Sequence, residues 1–365
     1  MNRLADPALD QRLKLVDCDI HMTQKRPSDL YPFLERRWVE HLESFGSFFR
    51  QPLVGQLAYP RMTANGMRAD AEPEDGPAGS SLEMLRAQHL DPLGVDIGML
   101  ICLGRGGMEE RHPGLAAAMS RAVNDWQIHA LVAPEPRLRA GLVVAQDHPE
   151  AAVAEIRARA GDRRFAQVIL STRAAEPLGA RRYWPIYEAA QEAGLPIGLH
   201  PAGYSGGHPS TGSGWPSYYF HEHYTFLPGA EGLVSSLVLN GVFAAFPRLR
   251  VAIIEGGFSW APALGWRMDR AWAHWRAEVP ELTRPPSEYM REHVWWATQP
   301  IEEPKNGREI EEIVDWIGWD RLLYSSDYPH WDYDDPRFVF RFPLSPERRQ
   351  AVFGGNARAL YGLDA

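Results

Sequence analysis

Lysine is nearly absent from this 365-residue chain: Lys14, Lys25 and Lys305 are all there is, and no stretch is dense in basic residues. With a net charge of -9, that excludes the clustered positive surface a nucleic-acid partner requires. Cysteine is also scarce. Cys18 and Cys102 both stand in apolar runs, where a thiol behaves as a small core hydrophobe, so no disulfide framework is expected. Long hydrophobic runs are missing too: the N-terminus lacks the apolar core of a signal peptide, and no uncharged apolar stretch reaches the roughly 18 residues of a membrane span. A soluble, cytoplasmic protein with neither a nucleic-acid nor a membrane partner is the expectation. No Gly-rich phosphate loop follows the first apolar run, which argues against a nucleotide-binding open sheet.

Short apolar runs do alternate with longer amphipathic segments along almost the whole chain. Eight runs read as strands: 15–20 (LVDCDI), 96–103 (DIGMLICL), 139–145 (RAGLVVA), 165–170 (FAQVIL), 196–200 (PIGLH), 250–255 (RVAIIE), 293–298 (HVWWAT) and 322–327 (LLYSSD). Several are apolar throughout, as strands covered on both faces are. Helices are expected over 113–131, 150–160, 182–193, 233–246, 308–317 and 346–361. This alternation predicts an α/β protein, a (β/α)8 TIM-like barrel forming one domain over 1–365; a doubly wound open sheet is the alternative. Two connections are long. Residues 24–87 form an insertion without clear periodicity, and 201–228 is rich in Gly, Ser, His and aromatics, as binding loops and lids are.

In such a barrel the chemistry gathers at the C-terminal ends of the strands. Asp19 and His21 end the first strand, His200 the fifth, Glu255 the sixth and Asp327 the eighth. Any one of these alone is more ordinarily a hydrogen-bonded strand end. Together they form the imidazole and carboxylate shell of zinc, manganese or iron. The loop after strand five adds His221, Glu222 and His223 within an aromatic run, and His223 is a further candidate ligand or catalytic base. His330, three residues past Asp327, is a candidate proton carrier. His41, His89, His112, His129, His148 and His274 fall on helices or remote loops and are expected to be solvated. Aromatic residues crowd the strand ends: Trp215, Tyr218, Tyr219, Phe220, Tyr224 and Phe226 in loop five, Phe258 and Trp260 after Glu255, Trp295 and Trp296 on strand seven, and Tyr328, Trp331 and Tyr333 after Asp327. They point to a hydrophobic small-molecule substrate.

The blocks VDCDIH, PIGLHPAG, FPRLRVAIIEGGFSW and RLLYSSDYPHWD, with NARALYGL near the end, resemble the amidohydrolase superfamily, in particular its aminocarboxymuconate-semialdehyde-decarboxylase-like branch. The resemblance implies a TIM-like barrel with Asp19, His21, His200 and Asp327 at the positions of metal ligands. It also implies decarboxylation, hydration or hydrolysis of organic acids with one zinc or manganese. The chain departs from the pattern twice: Asp19 stands where His is usual, and Glu255 where many members carry an acid/base His. Anions thus replace neutral imidazoles. A set of Asp19, His21, His200, His223, Glu255 and Asp327 is rich for one zinc, and suits two metals bridged by a carboxylate. By resemblance to the superfamily's diterpenoid-hydroxylating members, the first expectation is a dinuclear non-haem iron monooxygenase using molecular oxygen on a bulky terpenoid-like substrate in secondary metabolism, with Glu255, His223 and His330 as catalytic residues. The alternative is a single-metal zinc or manganese decarboxylase or hydrolase of an aromatic or other organic acid or its thioester. A homodimer is the expected assembly.

Overall fold

The structure is a computed structural model that describes residues 13–46, 66–102, 106–108, 110–172, 174–201, 218–224 and 226–363. Eight strands, β1 (Leu15–Ile20), β2 (Val95–Leu100), β3 (Leu138–Val143), β4 (Phe165–Ser171), β5 (Ile197–His200), β6 (Val251–Ile253), β7 (Val294–Ala297) and β8 (Leu322–Leu323), pair in chain order. Each neighbouring pair is parallel. The barrel closes at the β1–β8 seam, where the Cys18 N–H donates to the Tyr324 carbonyl (3.0 Å), the His21 N–H to Tyr328 (2.7 Å) and the Asp327 N–H to Asp19 (3.1 Å). That closure removes the open-sheet alternative: no sheet edge is left between the first and last strands.

Every residue of β1 and β4 is buried, because the barrel interior covers one face and the helices the other. Cys18 and Cys102 are free and buried within this core. Among the described residues no helix is long and apolar enough to cross a membrane.

β1 coincides with its apolar run and β4 runs one residue beyond it, whereas the other six strands are shorter than their runs suggest, β8 most of all. Side chains take over its ladder: the Ser325 N–H donates to Thr298 Oγ1 (3.1 Å), and the Ser326 N–H to Asp17 Oδ1 (2.9 Å). The helix expected over 346–361 is interrupted by a wider turn at Ala351–Gly355, and the helices Ala261–Trp275 and Pro286–His293 lie where none was expected.

The insertion expected at 24–87 is structured at both ends, and its centre, 47–65, lies outside the described residues. Helix Arg36–Phe45 belongs to it. Its far end packs on the β8 loop, where the Trp331 N–H donates to Gly66 (2.8 Å) and the Arg68 N–H to Pro329 (2.9 Å). Gly79 allows a second close approach, against the end of β1: its φ is +80°, and a Cβ there would stand 2.7 Å from the His21 carbonyl oxygen.

Buried polar groups finish the ladder where strands end. Asn124, on helix Pro113–Gln127, donates to the Val143 carbonyl and accepts from the Val143 N–H, both at 2.9 Å. Asn124→Ala would strand both backbone groups, so we expect a loss of about 2 to 4 kcal/mol in urea unfolding; an unchanged midpoint would contradict this reading of the β3 terminus.

Candidate active site

Asp19 and His21 are two residues apart on an extended segment, so their side chains leave the same side of β1. His200 is the last residue of β5; Glu255 lies two residues past β6, and Asp327 four past β8. All five are buried. His21 Nε2 stands 3.0 Å from Asp19 Oδ1 and 2.9 Å from Asp327 Oδ1, while His200 Nε2 is 2.9 Å from Glu255 Oε2 and 3.7 Å from Asp19 Oδ2. Asp19, His21, His200 and Glu255 each bring one donor atom within 4.8 Å of the others, and His21, Asp327 and His330 form a second such group.

Despite this crowding, both Asp19 oxygens and His21 Nε2 make no hydrogen bond of acceptable geometry. Atoms so close yet so misaligned are aimed at a common point rather than at one another. A cation at that point would satisfy them, and the donor set fits one. His21 Nδ1 is 2.9 Å from the Ile101 carbonyl oxygen. A carbonyl only accepts, so Nδ1 carries a proton; once Nε2 gives up its own, its lone pair faces the cluster, the arrangement metal-binding histidines use.

The backbone shows the same purpose. Glu255 (φ 53°) and Asp327 (φ 61°) are the two non-glycine residues with positive φ among the described residues. Such a conformation costs on the order of 1 to 3 kcal/mol and gathers at functional sites.

Charge is balanced locally. Burial alone would push the Asp19 carboxyl up, but the His21 and His200 imidazoles outweigh it and hold that carboxyl well below the usual range. Burial opposes charging of both imidazoles as well. Asp19 and then Asp327 nevertheless raise His21 well above its ordinary value, and Asp19 with Glu255 brings His200 up to about 9.

His330 donates from Nδ1 to Asp327 Oδ1 at 2.5 Å, and its ring meets His21 edge-on. The structure places His223 outside both candidate cation groups: its Nε2 is 3.2 Å from Asp332 Oδ2. Gln299 Nε2 donates to the same Asp332 oxygen (3.0 Å) and to Asp327 Oδ2 (3.2 Å), linking His223 to Asp327 through two side chains. Burial lowers the proton affinity of His223, but Asp332 and Glu255 raise it beyond that. Asp332 and Gln299 were not foreseen from sequence: Asp332 terminates no apolar run, and Gln299, although it follows the seventh directly, is an uncharged amide and stood out neither as a ligand nor as an acid or base.

Of the histidines expected to be solvated, His112, His129 and His274 are exposed and His41 and His148 half-buried. His89 corrects that expectation: it is completely buried, with Nε2 2.7 Å from Asp17 Oδ2. Its helical context gave no sign of the carboxylate it meets.

The aromatics divide. Phe258, Trp296 and Tyr328 are core, whereas Tyr224 and Trp331 are exposed and flank the His223 ring at 6.2 and 5.9 Å. Trp215 lies outside the described residues.

A family model described as "Amidohydrolase" matches residues 16–363. Solved structures share the fold. An amidohydrolase from Mycobacterium avium subspecies paratuberculosis superposes with a TM-score of 0.73 at 18% identity, covering 97% of this chain and 100% of that one. The 2,6-dihydroxybenzoate decarboxylase of a Rhizobium gives 0.70 at 18% identity, covering 96% and 99%. A 5-carboxyvanillate decarboxylase variant from Novosphingobium aromaticivorans, solved with bound manganese and a nitrobenzoic acid, gives 0.71 at 16%, covering 97% and 98%.

The proton affinities above set a pH dependence. A metal ion binds neutral imidazole, so protons compete with it wherever His200 is charged. Apparent manganese affinity, measured by calorimetry, is expected to climb as pH rises from 6 to about 9, because both imidazoles have to lose a proton to bind the ion; an affinity that is flat over that interval would contradict the assignment.

Proposed function

The chain belongs to the amidohydrolase family, and from that premise we propose that it is a single-metal decarboxylase acting on an aromatic acid. The observation that carries the reading is the convergence of Asp19, His21, His200 and Glu255, with Asp327 joined to them through the same His21 Nε2. One imidazole lone pair serves one ion, and Nδ1 of that ring is committed to Ile101. The two groups of donors are therefore read as one site. Three carboxylates and two imidazoles form an oxygen-rich shell, which favours manganese over zinc. Asp19, His21, His200 and Asp327 would hold it, with Glu255 as a further ligand or as base; when bound, it supplies Lewis-acid polarisation of the substrate's oxygen atoms.

The chain's own residues supply the rest. Losing CO2 from an aromatic ring requires a proton at the carbon that gives it up. His223, with its raised proton affinity, and His330, fixed by Asp327, are the groups placed to hold that proton. Tyr224 and Trp331 beside His223 offer flat apolar surface to an aromatic ring. The decarboxylase activities named for structural neighbours support the choice of reaction.

A dinuclear iron oxygenase is the second reading, favoured by the surplus of carboxylate over what one divalent ion needs. It has less support, since a second ion would have to rely on Asp327 and His330 after His21 is used.

Elemental analysis with parallel oxygen and CO2 measurements separates the two. About one manganese per chain, and CO2 release from an ortho-hydroxylated benzoate without oxygen uptake, is the expected result; two irons per chain with oxygen consumption would reverse the order. His223→Ala should keep its metal and lose about a hundredfold or more in kcat. If that variant instead loses metal, His223 is a ligand after all.

A further inference from the structure

Asp17 and His89 are fully buried, and neither belongs to the candidate cation groups. An isolated charge in a core is costly, so a buried carboxylate with so many partners calls for a reason. Its partners suggest one. Asp17 Oδ1 accepts the backbone N–H of Asp19 (3.1 Å) and of Ser326 (2.9 Å); Oδ2 accepts the Ser326 hydroxyl (2.5 Å) and His89 Nε2 (2.7 Å). One carboxylate thus grips both sides of the barrel seam, next to Asp327 on one strand and at Asp19 itself on the other.

The left-handed backbone at Asp327 is pinned on every side by the same seam. The N–H before it goes to Asp17, its own to the Asp19 carbonyl (3.1 Å), and the next, from Tyr328, to the Ser326 hydroxyl (3.1 Å). His89 holds Asp17 in turn. Its Nδ1 lies 3.1 Å from the Tyr333 hydroxyl, and its ring stacks on Tyr328 at 5.2 Å with a 19° tilt. The adjacent Gln88 accepts the Tyr328 hydroxyl at 2.8 Å. The segment after Asp327 is therefore tied to the turn before β2 through these two residues.

We infer that the Asp17–His89 pair is a positioning device that sets the distance between Asp19 and Asp327, and so the fit of the site to its metal ion. Without His89, Asp17 would be a buried anion lacking its imidazole partner. Oδ2 would keep only the Ser326 hydroxyl, and the carboxylate, no longer fixed from the His89 side, would be free to rotate away from Ser326 and Asp19. His89 touches neither substrate nor metal in this scheme; it acts through Asp17. The inference rests on the single-metal reading above.

Manganese binding by the full chain, followed by calorimetry with folding checked by circular dichroism, tests it. His89→Leu should bind manganese roughly ten- to a hundredfold more weakly, while His89→Gln, whose amide N–H can still reach Asp17, should stay within about threefold of the unchanged chain. Loss of packing alone would weaken both equally, and that result overturns the role, as does a folded His89→Leu that binds like the unchanged chain. If His89→Leu fails to fold, Ser326→Ala decides: about fivefold weaker binding supports the device, and undiminished binding overturns it. No manganese uptake by the unchanged chain would sink the metal reading and this inference together, whereas equal uptake by the unchanged chain and His89→Leu sinks the positioning role alone.

Discussion

The site depends first on where β1 meets β8. Six strands carry the chain around the barrel before Asp327 returns to Asp19, and a single backbone hydrogen bond between those residues, 3.1 Å long, marks the return. Asp327 can face His21 only because its backbone turns left-handed at that point. A conformation of that kind persists only where its surroundings over-determine it, and here three consecutive N–H groups are each tied to β1 or to the seam itself. The ladder of β8 is sacrificed for this: two residues of regular strand remain.

The second constraint is electrostatic. Gathering Asp19, Glu255 and Asp327 around two imidazoles removes several ionisable groups from water at a cost of several kcal/mol per ion, against about 1 kcal/mol returned by a typical hydrogen bond. The ion pairs among these groups offset part of that cost, yet both Asp19 oxygens and His21 Nε2 are left without a hydrogen-bond partner in the protein. A divalent cation would give them one. The cluster therefore has the character of a ligand set rather than of a stabilising network, unlike Asp17 and His89, whose polar atoms find partners in the protein.

Much of this was legible in the sequence, for a physical reason. Barrel strands are apolar throughout, so a carboxylate or imidazole that ends such a run stands out, and Asp19, His21, His200, Glu255 and Asp327 were all visible in that way. What stayed hidden lacks that contrast. Asp17 lies inside the β1 run and reads as strand polarity; His89 reads as a helix-surface residue until its carboxylate partner, 72 positions away, is brought beside it. Asp332 and Gln299 gain their meaning from a contact across 33 residues. The expected end of β8 overran the observed one because side chains, which no periodicity reveals, replace the ladder at Ser325 and Ser326. The number of metals was the weakest inference. Counting ligand residues favours two, while the membership of His21 in both groups, with Nδ1 turned to Ile101, supports the one-ion reading proposed above.

A single manganese ion held by all five side chains would be located by anomalous diffraction at the manganese edge, from crystals grown with manganese. One peak enclosed by Asp19, His21, His200, Glu255 and Asp327 is the predicted result; two peaks about 3.5 to 4 Å apart, the spacing of a dinuclear site, or one peak bound elsewhere would contradict it.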